Sequence, residues 1–263
     1  MKFREFILVA ALAAAAGGWV HTARAEALDD IIKRGKLLVA IDIAAPPFGI
    51  QNDKMQPDGA DVEVARLLAK DLGVELEVVP VTSANRIPYL QTKRVDLTMS
   101  TFSITPERAK AVNFSTPYGA INAVIFAPKS IDIKEPKDLV GKKVGVTRGT
   151  TNETDLVALA PQGTQIIRFD DEASTMSALA SGQVDAYASG ETIARSLIPR
   201  YPDKSFESKF VMRRSFYAAG MRRGEPDFLR WVDTAIWFHN NNGDLARIYE
   251  HWVGVPLPPL PPL

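Results

Sequence analysis

Three hydroxyls and a guanidinium crowd into Ser100-Thr101-Phe102-Ser103-Ile104-Thr105-Pro106-Glu107-Arg108, and together they could grip a small anion. Thr105 suits a helix N-cap, Pro106 the first helical position and Glu107 the positive end of the helix dipole. Arg108 breaks this pattern, because the dipole repels a cation in the first turn unless an anion lies beside it. That anion is either a protein acid, Glu107 or a nearby aspartate, or a ligand carboxylate taken by the guanidinium fork through two parallel bonds. The segment Thr82-Ser83-Ala84-Asn85-Arg86-Ile87-Pro88 repeats the problem, with Ser83 as a cap and Arg86 in the first turn. A structural ion pair explains one such arginine. Two of them, both after strand carboxyl ends in one α/β unit, point to a shared anion site.

Other chemistry is thinly represented. The sequence has no cysteine, which removes disulfides, thiolate metal sites and a cysteine nucleophile. It contains no phosphate-cradling glycine loop, nucleophile elbow or metal-ligand spacing, so no cofactor and no metal is expected. Lys plus Arg equals Asp plus Glu at 31 each, which leaves no basic field for nucleic acid. His21 lies in the leader, and His239 and His251 fall on terminal helices as surface or packing residues.

The leader is Lys2 and Arg4 followed by an apolar run from Phe6 to Val20, then Ala23-Arg24-Ala25. That run is short for a membrane span and fits a secretory signal cleaved after Ala25. The mature chain then begins at Glu26, is exported to the periplasm and carries a net charge of −2, from 28 basic and 30 acidic residues.

These residues must be positioned by alternating strands and helices. Leu37–Ile41, Glu75–Val81 and Asp96–Ser100 read as strands, and Leu28–Arg34 and Asp61–Leu72 as helices with Gly35 and Gly73 as stops. Pro46-Pro47 delivers Phe48 to the end of the first strand. From Ile121 the pattern restarts: strands at Ala123–Ala127, Lys142–Thr147, Gln165–Phe169 and Val184–Ser189, with helices at Asp171–Ser181 and Gly190–Ile198. Between them Arg148-Gly149-Thr150-Thr151-Asn152-Glu153 opens a helix. Thr150 and Glu153 match a reciprocal capping box, and the same turn offers free backbone donors to a carboxylate. Phe210–Met221 is extended, Pro226–Asn240 and Leu245–Val253 are helices, and Pro256–Leu263 is a stiff, frayed tail. The layout predicts an α/β protein of two lobes: 26–118 with a return over 213–255, and 119–212 between. Two hinge crossings fall near Tyr118–Asn122 and Val211–Ser215. Ligands of open sheets sit beyond strand carboxyl ends, where Phe48, Arg86, the Ser100–Arg108 loop, Thr150, Thr151 and Glu191 all gather.

With these residues placed, the chain resembles the extracytoplasmic solute-binding proteins of polar amino-acid uptake systems. The resemblance rests on Pro46-Pro47-Phe48, Gly59-Ala60-Asp61-Val62, Ser103-Ile104-Thr105-Pro106-Glu107-Arg108, Asn113-Phe114-Ser115-Thr116-Pro117-Tyr118, Gly141-Lys142-Lys143-Val144-Gly145-Val146 and Gly149-Thr150-Thr151, and covers essentially the whole mature chain. It implies the two-lobe periplasmic-binding-protein fold (Venus flytrap), a monomer, an ABC permease as partner and no catalysis. It also implies that Arg108 takes a ligand carboxylate, with Ser100, Thr101, Ser103, Thr150 and Thr151 adding hydrogen bonds. Ser83 and Arg86 match residues that hold the distal carboxylate of acidic amino acids. Two departures stand out. Gly190 replaces the aspartate that usually holds the ligand ammonium, so that either Glu191 shifts in, or Glu191 is a helix cap and the ligand lacks a free amino group. Asp42 and Ala45 do not supply the basic or aromatic groups of some relatives. The resemblance extends to secreted cyclohexadienyl dehydratases, which need a carboxylic acid of raised pKa. Near the cleft Glu191 is the candidate for that acid.

Overall fold

A computed structural model describes residues 27–262. The expected leader and its cleavage after Ala25 lie outside the described residues. The chain opens with helix α1 (Ala27–Arg34), strand β1 (Lys36–Ile41), helix α2 (Ala60–Leu72) and strand β2 (Glu75–Pro80). Gly73 ends α2 in the left-handed region and returns its N–H to the Ala69 and Lys70 carbonyls. Short α3 (Arg86–Gln91), β3 (Leu97–Thr98) and α4 (Pro106–Ala109) follow, and then the long strand β4 (Asn113–Pro128). The next block is β5 (Lys143–Thr147), α5 (Thr151–Leu159), β6 (Gln165–Phe169), α6 (Glu172–Ser181), β7 (Ala186–Gly190), α7 (Glu191–Arg195) and α8 (Leu197–Arg200). A second long strand, β8 (Phe206–Met221), leads to α9 (Pro226–Asn241) and α10 (Asp244–Val253). No helix among the described residues is long and apolar enough to cross a membrane.

All these strands join one eight-stranded sheet, in the order β2-β1-β3-β8-β4-β7-β5-β6. Its two outer thirds are parallel, β2-β1-β3 on one side and β7-β5-β6 on the other. The antiparallel pair β4 and β8 connects them: β8 meets β3 at Gly220–Met221, and β4 meets β7 over Ala123–Phe126. The expected restart at Ile121 is therefore not a new strand. Pro117 and Gly119 punctuate the sequence, yet the backbone runs extended through both, with Gly119 paired to Tyr217. The ladder slips between Val211 and Arg213 and again between Tyr217 and Ala218, on either side of the stretch that passes from one half of the sheet to the other.

The main apolar core runs through both halves, from Ile31, Leu37 and Leu68 to Phe126, Leu179 and Tyr187, and a smaller cluster lies on each side. Ala40, Leu90, Phe102 and Phe114 pack together in the first half, and Ile125, Val144, Leu156 and Ala186 in the second. Two local expectations change. The helix expected over Gly190–Ile198 breaks at Ser196, and Pro199 lies inside the short turn that follows instead of ending the helix. Proline cannot donate to a carbonyl four residues back, so a fresh turn starts just before it. The proline-rich tail is anchored rather than frayed: Leu257 packs against the core, and Leu257, Pro258 and Leu260 are half-buried.

Candidate functional site

Thr105 caps α4 as its sequence suggests, accepting a hydrogen bond from the Arg108 backbone N–H at 3.2 Å. Glu107 turns outward to Lys110 at 2.6 Å, so it does not neutralise Arg108. The Arg108 guanidinium instead donates to the Ser103 carbonyl at 2.9 Å and to the Gly149 carbonyl at 3.0 Å, with its carbon 4.6 Å from the centre of the Phe102 ring. Among the described residues it forms no ion pair. Burial disfavours its charge, and the neighbouring charges of Arg86 and Arg213 disfavour it further. This is a cation held in place without an anion.

Arg86 is more deeply set, with 3% of its surface exposed. It donates to the Ser83 carbonyl (3.0 Å), the Ser100 carbonyl (2.8 Å) and the Gly149 carbonyl (3.2 Å). Of its five N–H donors three are thus engaged by main chain. Burial lowers its pKa, while the charges of Asp42, Glu172 and Asp61 act in the opposite direction. Both arginines therefore converge on Gly149, which belongs to the second half of the sheet. Gly149 has φ +73°, and a β-carbon there would stand 2.6 Å from Ala84 Cα.

The two halves enclose a cavity. Ser83, Arg86, Thr101, Ser103 and Arg108 line it from the first half, and Thr150, Thr151, Asn152 and Glu172 from the second. Ile121, Ala123 and Ser215 of the connecting strands, with Gly190 and Ile193, complete it. Its space is about 30 Å³, enough for a water or two at roughly 10–15 Å³ each and too little for an amino acid until the halves part. Thr101 stands at φ +42°, a costly conformation for a β-branched residue. Its N–H is fixed by Asp61 at 2.9 Å, and Asp61 also accepts from the Tyr118 hydroxyl at 2.8 Å. Burial pushes the Asp61 carboxyl up to about 7. Thr150 caps α5, accepting from the Glu153 N–H at 3.1 Å. The reciprocal half of the expected capping box slips by one residue, since the Glu153 carboxylate takes the Gly149 N–H at 2.9 Å.

Three expected site residues do not line this cavity. Phe48 is buried in the core with its ring edge-on to Tyr217, at 5.7 Å between centroids. Ser100 is buried too: its hydroxyl accepts from the Asp42 N–H at 3.2 Å, and only its carbonyl, through Arg86, faces the site. Glu191 is held by Asn122 and Ser208, both at 3.0 Å, and borders a different surface groove beside Val253 and Val255. It does not shift in to replace the missing carboxylate at Gly190. Ile121 occupies that corner, its Cδ1 2.4 Å from where a Gly190 β-carbon would stand.

The sequence reading missed Glu172. It occupies the first position of α6 after the Asp171 cap, where an acidic residue is explained by the helix dipole alone. Its carboxylate accepts from the Tyr187 hydroxyl, and 4% of the residue is exposed. Burial raises its pKa to about 7, the Tyr187 hydrogen bond opposes that, Asp42 raises it further, and Thr147 and Arg86 lower it. Asp42 is likewise raised by burial; one of its oxygens accepts from the Ala44 N–H, and the other is buried with no protein partner.

Comparison with known proteins places this geometry. Residues 37–255 match the bacterial extracellular solute-binding proteins of family 3. The L-cystine-binding protein TcyJ of Escherichia coli K12 is 33% identical over 249 residues, covering 94% of this chain and 93% of that protein. A crystal structure of the P235GK mutant of ArgBP from T. maritima superposes with a TM-score of 0.81 at 31% identity, covering 87% of this chain and 99% of the other. The ancestral amino acid-binding protein AncCDT-1, described as a precursor of cyclohexadienyl dehydratase, gives 0.79 at 33% identity, covering 86% and 99%.

Proposed function

The chain belongs to the bacterial extracellular solute-binding proteins of family 3, with their two-lobed α/β fold, and we propose that it captures a polar or acidic amino acid between its lobes and delivers it to an ABC permease. The observation that carries this reading is Arg108: a cation oriented into the cavity by two main-chain carbonyls, with no acid of its own. A ligand carboxylate supplies the missing charge through a charge-assisted, bidentate pair. Hydroxyls from both lobes, Ser103 and Thr101 on one and Thr150 and Thr151 on the other, surround the same space. Two guanidinium groups against one carboxyl in the lining oppose a ligand with a cationic side chain and favour a neutral polar or anionic one.

The lobes proposed are 26–118 with 213–255, and 119–212, hinged where β4 and β8 pass between them. Because both lobes contribute hydroxyls and arginine contacts, the ligand stabilises the closed form over the open one. Export to the periplasm with cleavage after Ala25, and action as a monomer, belong to the same proposal. A dehydratase on this scaffold would need a carboxylic acid of raised pKa in the cavity; the acid expected for it, Glu191, is bound to Asn122 and Ser208 outside, and the acid that does line the cavity is Glu172. The family and its relatives are binding proteins, and this chain is one of them rather than an enzyme.

A thermal-shift screen of amino acids and dicarboxylates, followed by calorimetry, tests the proposal. At least one amino acid should raise the melting temperature and bind with one-to-one stoichiometry, and Arg108→Ala should abolish the shift. Turnover of prephenate or arogenate without amino-acid binding would overturn it.

A further inference from the structure

Amino acids and simple carboxylates share the group that Arg108 is built to take, so Arg108 alone cannot tell them apart. Discrimination requires a group that answers the amine. Glu172 is the one acidic residue among those lining the cavity. The wall formed by Gly190, Ile121, Ala123 and Ile193 carries no side-chain acceptor, and Ile121 fills the corner beside Gly190. The remaining lining side chains are hydroxyls, Asn152 and the two arginines, none of which bears the negative charge an ammonium needs.

We propose that Glu172 receives the ligand's amine and thereby selects amino acids over amine-free carboxylates of the same shape. This rests on the binding reading above and adds the residue that sets its specificity. The placement suits the role. Arg108 approaches from one lobe and Glu172 from the other, so a zwitterion bridges opposite charges across the cleft. The Tyr187 hydroxyl takes one lone pair on Oε2 and Thr147 takes another on the carboxylate, which leaves further acceptor positions for an N–H donor. Asp42 lies near enough to influence Glu172 but outside the lining, and one of its oxygens is buried with no protein partner. Burial holds Glu172 near neutrality, so an approaching ammonium is what stabilises the ionised form.

Calorimetry on the purified chain, with amine-bearing and amine-free partners, decides the matter. The probes are the common L-amino acids and L-cystine, each against its amine-free counterpart, such as glutarate for glutamate and succinate for aspartate. Wild-type protein should prefer the amino acid of the bound pair by about 100-fold or more, the range seen when one member of a buried charge pair is removed. In Glu172→Gln that preference should shrink at least about tenfold, with the amine-free counterpart bound as well as before or better. A merely structural role for Glu172 would weaken both members of the pair alike, and that result overturns the assignment. Equal wild-type affinity for both members also overturns it, and needs no variant to fold. Tight amino-acid binding with the preference intact in Glu172→Gln sinks this inference and leaves the proposed function standing. Failure of every amino acid to bind sinks both.

Discussion

Holding a half-buried guanidinium against main-chain carbonyls leaves its charge without a protein anion, and Arg108 is in that state. Arg108→Ala should therefore weaken ligand binding by about 2–5 kcal/mol, measured by calorimetry. Arg108→Lys should restore little of it, because an ammonium cannot reproduce the planar fork. Unchanged affinity in either variant would remove Arg108 from the site. The buried acids make a separate prediction about pH. Asp61 and Glu172 are raised to about 7 from 3.8 and 4.5, and Asp42, Asp96 and Asp233 are raised as well. In the window between those ordinary values and about 7, the folded chain keeps protons that the unfolded chain has released. Stability of the ligand-free protein should thus fall as pH rises through that window. A melting temperature several degrees lower at about pH 8 than at about pH 5 is expected, and a rise over the same range would contradict it. Legibility at this scale followed locality. The Ser100–Arg108 loop could be read because capping rules isolate the one residue that violates them. Glu172 escaped because it obeys those rules, and only the packing of α6 onto β5, β6 and β7 brings it to the cavity. Glu191 and Phe48 were misplaced because position after a strand end does not say which way a side chain faces.

The turn from β5 into α5 is the element on which the proposed closure depends. Its Gly149 carbonyl receives both Arg86 and Arg108, and its α-carbon passes so close to Ala84 that a methyl group would meet backbone at 2.6 Å. Gly149→Ala adds that collision to the strain of an L-residue at φ +73°. Parting the lobes relieves the collision, so the variant should stay folded while losing at least about tenfold in affinity, since 1.4 kcal/mol already corresponds to that factor. Calorimetry together with a melting curve checks this, and wild-type affinity in Gly149→Ala would mean the lobes do not close on this contact. Elements were more readable than their connections. β6 runs over the residues its apolar pattern marks, and Asp171 and Gly182 bound α6 as cap and stop. The passage through Pro117 and Gly119 was not readable, because residues that usually end a strand are here carried inside one by its long partner β8.

At the scale of the molecule, one sheet carries an apolar core that runs through both halves, with a smaller cluster on each side, and a pair of 16-residue strands crosses between them. The proposed hinge falls on this pair, whose register slips at Val211–Arg213 and Tyr217–Ala218. The cavity's space of about 30 Å³ is small for a solute, in keeping with the proposed opening and closing about these strands. Small-angle scattering should record a smaller radius of gyration with ligand than without, and identical profiles would argue against hinge closure. The two-lobe arrangement was legible from the restart of strand–helix alternation. The continuity of the sheet through both lobes was not, since it arises from pairing between strands some ninety residues apart.

The claim on which all of this turns is that Arg108 waits for a guest's negative charge. A crystal structure of the chain with the amino acid that stabilises it most tests this directly. The account predicts the ligand carboxylate against the Arg108 guanidinium, enclosed by Ser103 and Thr150, with the amine toward Glu172. A ligand lodged elsewhere, with Arg108 paired to an acid of the protein itself, would contradict it.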